Sequence, residues 1–138
     1  MSKERNIATI KKEIMDKLIN NEEIYNYLTH FDRYDEEGYS IDKMYNNFIY
    51  DYDSSNKAGN YITVEVDERE RIGCVNIGDK TYTVRIRMSL NYEENIDALS
   101  YIIADIVNKL YPGNRNYHNV SFRYSGNLGR EIAFKING

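Results

Sequence analysis

The chain is poor in the residues that most often do chemistry. Its 138 residues include one cysteine, Cys74, two histidines and no tryptophan. One cysteine rules out an internal disulfide and any Cys-x-x-Cys metal site. Arg71 is the single basic residue close to Cys74 in sequence, which does not make an activated nucleophile. His30 and His118 fall in predicted loops, with no His-x-x-x-His or His-x-His pair. The 8 glycines form no phosphate-binding loop. Gly126-x-x-Gly129 lies in a predicted hairpin and marks a turn. Asp51 and Asp53 are spaced to share a cation, but the later ligands and glycine of a calcium loop are missing. No catalytic, cofactor-binding or metal-binding residue is therefore expected, and the chain reads as a non-enzyme.

Other absences narrow the setting. No apolar run approaches the length of a membrane span. Met1 to Asn6 is polar and no apolar signal core follows it, so synthesis in the cytosol in reduced form is expected. Positive charge is not in excess: 18 Lys and Arg stand against 22 Asp and Glu, a net charge of −4. Nothing draws such a chain generally to nucleic acid or anionic membrane. The length suits a single domain over residues 1–138 with a real core.

The best-patterned stretch runs from Thr81 to Gly113. Tyr82, Val84, Ile86, Met88 and Leu90 alternate with Thr83, Arg85, Arg87 and Ser89, the period of a strand with one face on a core. A helix is predicted to open at Asn91, with Glu94 as its N3 partner. Ile96, Leu99, Ile103, Ile106 and Leu110 then repeat at helical spacing, and Pro112-Gly113 ends the run. Near the start, Ile7, Ile10, Ile14 and Leu18 predict a helix from about Asn6 to Ile19. Asn21 would cap a short turn holding Ile24 and Leu28, and Ser40 a short helix carrying Met44 and Phe48.

Further strands are expected at Tyr61 to Val66, at Val120 to Tyr124 and around Ile132, Phe134 and Ile136. The run Asp67 to Arg71 reads as a solvated strand end or turn, and Ile72 to Ile77 as part of a hairpin closing at Gly78-Asp79. Asn114 to Asn119 reads as a loop, and Gly126-Asn127 as a hairpin turn. The predicted class is α+β: a mostly antiparallel sheet of four to five strands, two main helices on one face, and a long loop after the first helix.

That loop, residues 29–60, is where the acidity concentrates. From Phe31 to Ser55 there are seven acids and two bases; from Tyr61 to the end, ten of each. Tyr34, Tyr39, Tyr45, Tyr50 and Tyr52 lie among the acids. Tyrosine gives large contact area with a polar tip, so an acidic arm suited to a protein partner is one reading and a surface loop is the other. Arg85 and Arg87 share the polar face of the central strand, and Arg123 is expected to join them. Such a row could bind single-stranded nucleic acid, be a solvated ion-paired face, or meet acids such as Asp51 and Asp53 of a neighbouring subunit.

The element order and several local phrases resemble the tail terminator and head–tail joining proteins of long-tailed phages and related phage-tail-like particles. Ile10-Lys11-Lys12-Glu13-Ile14 through Leu18, then Asn21-Glu22-Glu23-Ile24, is similar to their opening helix. Asn60 through Val66, after a tyrosine-bearing loop, looks like their first strand. Tyr82 to Leu90, the helix Ile96 to Leu110 and the closing hairpin with Gly129-Arg130-Glu131-Ile132 resemble the remainder. Glu68 to Lys80 departs from the pattern, being longer and more charged. The resemblance implies a homo-oligomeric ring, commonly a hexamer, in the tail or neck of a virion, made in the host cytoplasm. It caps the tail tube and joins it to the head connector, with DNA passing through and no sequence-specific binding. Arg85, Arg87 and Arg123, with Tyr50, Tyr52, Asp51 and Asp53, are then expected at subunit contacts or the channel. Another small phage connector, and a mobile-element inhibitor that binds a host protein through its acidic tyrosine-rich surface, are the other readings.

Overall fold

A computed structural model describes residues 6–29, 38–51, 59–70, 80–91, 93–112, 118–124 and 127–137. The class is α+β. Among the described residues, four α-helices lie on one face of a five-stranded mixed sheet of order β1-β2-β3-β5-β4. All strand pairs are antiparallel except β1 with β2.

The helices begin where side chains can satisfy free backbone N–H groups. In α1 (Ile7–Ile19) Asn6 Oδ1 accepts from the Thr9 N–H at 2.9 Å, and Thr9 Oγ1 accepts from the Asn6 N–H at 3.0 Å. Ile10, Ile14 and Leu18 form its buried stripe. In α2 (Glu22–Leu28) Asn21 Oδ1 accepts from the Ile24 N–H at 3.1 Å. In α3 (Ile41–Asn47) Ser40 Oγ accepts from the Lys43 N–H at 3.1 Å, and Met44 is buried. The caps at Asn21 and Ser40 agree with expectation, and α1 begins where its helix was expected.

The later helix differs from expectation. Glu93–Asn95 forms a 3₁₀ turn, and α4 (Ile96–Leu110) follows with no side-chain cap. Asn91 is not the cap, because the α-helix starts only at Ile96; the Asn91 backbone N–H instead donates to Asn60 Oδ1 at 2.6 Å. Ile96, Leu99, Ile103 and Val107 of α4 are buried, while Tyr101 on its far side is 78% exposed.

β1 (Ile49–Tyr50) was not expected. It is two residues long and adds to β2 in parallel, Ile49 beside Ile62. β2 (Tyr61–Glu70) continues through Asp67 to Glu70, where a strand end or turn was expected. These charged residues pair with Thr83 to Lys80 of β3 (Lys80–Leu90), and Lys80 Nζ holds Glu68 Oε1 at 2.7 Å. β4 (His118–Tyr124) takes in His118 and Asn119, expected in a loop, and pairs with β5 (Asn127–Asn137). The hairpin expected over Ile72 to Ile77 and Gly78-Asp79 lies outside the described residues, as do His30 and Cys74.

Register assigns the two faces. Val64, Ile86 and Ile132 form one row; Val66, Val84 and Phe134 form the next. All six are buried under the helices. Tyr111, just after α4, donates its hydroxyl to Glu13 Oε2 of α1 at 2.9 Å, which ties the helix layer together.

Candidate interface on the open face of the sheet

The alternate residues of the strands point to the face that carries no helix among the described residues, although Thr63 and Ala133 on it are buried. One row across it is Glu65, Arg85, Ala133; the next is Thr63, Arg87, Glu131, Val120. Arg85 is exposed and makes no ion pair among the described residues. Arg87 is held: its Nε donates to Glu131 Oε2 at 2.6 Å. The two arginines therefore share a face but not a role. Arg87 is spent on a pair within the chain, while Arg85 keeps a guanidinium for solvent or a partner.

Arg123 does not join them by register. It pairs with Leu128, which pairs with Leu90 of the helix-side row, whereas Arg85 pairs with Ala133 on the other phase. The side-chain period of a strand is two, so a strand's phase decides its face, and β4 enters in the opposite phase to the one expected. Its apolar positions, Val120, Phe122 and Tyr124, share the phase of Arg87, Glu131 and Gly129. Sequence alternation groups these three residues but does not say which side of the sheet they take.

At the other edge, Tyr50 tilts against Tyr61 with ring centroids 6.4 Å apart and donates its hydroxyl to the Asn47 carbonyl at 2.8 Å. Asp51 is exposed, and its carbonyl accepts from Lys11 Nζ at 3.2 Å. Tyr52 and Asp53 lie outside the described residues. The acidic segment is not wholly loop, because α3 and β1 lie within it. There Lys43 Nζ donates to the Tyr25 hydroxyl at 2.9 Å, and Tyr25 meets Tyr39 and Phe48 edge-on at 5.7 and 6.0 Å. Ile41 and Tyr45, one turn apart on α3, stay 51% and 59% exposed.

Among the described residues, no three His, Cys, Asp or Glu side chains are grouped to hold a metal ion. Among them too, no helix is long and apolar enough to cross a membrane. The chain matches no protein-family model and no curated protein.

Proposed function

We propose that this chain is a structural assembly protein of the tail terminator or neck type, a subunit of a ring that ends a phage-type tail tube and meets the head connector. Its place is the virion, after synthesis in the host cytoplasm, and DNA passes through the ring without being read. The observation that carries this reading is Arg85: a cation at the middle of the central strand, on the face free of helices, with no ion pair among the described residues. A ring closes through heterologous contacts between unlike patches. An exposed arginine and an acidic surface that includes exposed Asp42 and Asp51 suit that requirement. The resemblance in element order supplies the biological setting.

The test is the molar mass by light scattering after size exclusion, at low and moderate salt. A discrete ring mass, a hexamer above all, supports the reading. Charge reversal at Arg85 that leaves the oligomer size unchanged removes this residue from the contact.

A second reading is favoured by exposed Ile41 and Tyr45 on α3, beside exposed Asp42. In it the chain is a small mobile-element inhibitor that binds a host protein through this acidic, tyrosine-bearing surface. A monomer at all salt concentrations shifts weight to it.

A further inference from the structure

The two edges of the sheet are β1 and β4, and they are built differently. β1 is two residues long, and Lys11 of α1 donates to the carbonyl of Asp51, the residue that follows the strand. A very short strand and an edge lysine are devices that keep an edge from pairing with another chain. β4 has neither: its seven residues, His118–Tyr124, include no proline, lysine or acid. Val120 is 52% exposed and Ser121 is exposed. A seven-residue edge strand with none of these residues, and with Val120 and Ser121 exposed, is a template for strand addition.

The composition of β4 selects what it takes. Turned antiparallel about Ser121, a second β4 sets Val120 opposite the partner's Phe122 and His118 opposite the partner's Tyr124. On the other phase Asn119 meets the partner's Arg123, and Ser121 meets the partner's Ser121. Apolar positions meet apolar or aromatic ones. The strand's one arginine faces an amide, so no like charges oppose each other across the axis. We propose that two copies of the chain join edge to edge through β4, as one continuous sheet with both helix layers on the same side. The contact is isologous, with the same patch on both copies. It does not rest on the ring reading, because ring closure uses a heterologous contact elsewhere. Copies paired through β4 are dimers where no ring closes, and link one ring to another where it does.

Two variants test this on the full chain. Val120→Lys puts a lysine on the edge; within one copy it stands opposite Glu131, so the fold is retained by circular dichroism. The expected result is half the wild-type mass by light scattering at equal concentration. Ser121→Cys in a Cys74→Ser background is the second. An antiparallel pair brings the two Cα atoms to about 4.5–5.5 Å, within reach of a disulfide. Mild oxidation is expected to give a covalent dimer at least about tenfold faster than Tyr101→Cys in the same background, a position on the far side of α4. Three outcomes overturn the proposal: a monomeric wild type, a mass unchanged by Val120→Lys, or cross-linking no faster than the Tyr101→Cys control. The second of these, with a ring mass retained, would leave the ring reading standing.

Discussion

Asn60 binds the end of the central strand to the end of a helix. Its Oδ1 accepts the backbone N–H of Asn91 at 2.6 Å, and its Nδ2 donates to the Leu28 carbonyl at 2.7 Å. One side chain thus satisfies a donor just past β3 and an acceptor at the end of α2. Asn60→Ala removes both bonds and is expected to cost about 2 kcal/mol in urea denaturation, roughly 1 per bond. Asn60→Asp keeps the acceptor and loses the donor, so its cost should be smaller. Equal costs would mean that one of the two bonds contributes nothing.

Arg87 and Glu131 should be coupled, and Arg85 should not. The ion pair spans β3 and β5 with side chains 40% and 17% exposed, so solvent screens part of it. A double-mutant cycle of Arg87→Ala and Glu131→Ala is expected to give a coupling of about 0.5–1 kcal/mol that falls with added salt. Arg85→Ala is expected to leave monomer stability unchanged within about 0.5 kcal/mol. A large loss there would expose a contact within the chain that removes Arg85 from the proposed interface.

The core gives a sharper stability test. Ile86 is fully buried at the centre of β3, with Val64 on one side and Ile132 on the other. Ile86→Ala is expected to cost about 2–5 kcal/mol, from lost burial and the cavity left between three strands. A change below about 1 kcal/mol would contradict so central a position.

The pH response of one surface pair follows from its geometry. Lys109 Nζ lies 2.9 Å from Asp105 Oδ2, one turn earlier on α4. The hydrogen bond to Asp105, then its charge, raises the Lys109 pKa above the ordinary 10.5. A raised amine pKa means that the pair's contribution is complete below the unfolded value and is lost as pH rises through the folded one. The window is alkaline, and neutral pH leaves the pair intact. Side-chain NMR titration should find Lys109 above its usual range, and Asp105→Asn should return it there.

Much of the fold is legible because local signals agree with the global one. Ile10, Ile14 and Leu18 announce α1, and Asn21 and Ser40 announce short helices, since cap and stripe are written within a few residues of each other. Asp67 to Glu70 could not be read as strand from composition, because its order comes from pairing with Lys80 to Thr83 in β3. β1 is too short to show any period. The open-face position of Arg85 follows from alternation alone. The Arg87 partner does not, since Glu131 lies 44 residues away. Arg123 shows the limit most plainly: alternation separates two sets of residues in β4, but only the pairing with β5 fixes their register against Arg85 and Arg87.

The strand order also has a consequence for how the chain is made. β5 sits between β3 and β4, yet it is the last described element to leave the ribosome. Until it arrives, Val84 and Ile86 of β3 lack neighbours on one side and β4 has no described strand to pair with. The sheet therefore closes from the inside, late, through pairings such as Thr81 with Asn137 that span most of the second half of the sequence. Such non-local closure is slow and leaves a sticky intermediate. The yield of folded protein should then depend on chaperone capacity during synthesis more than on the stability of the finished molecule.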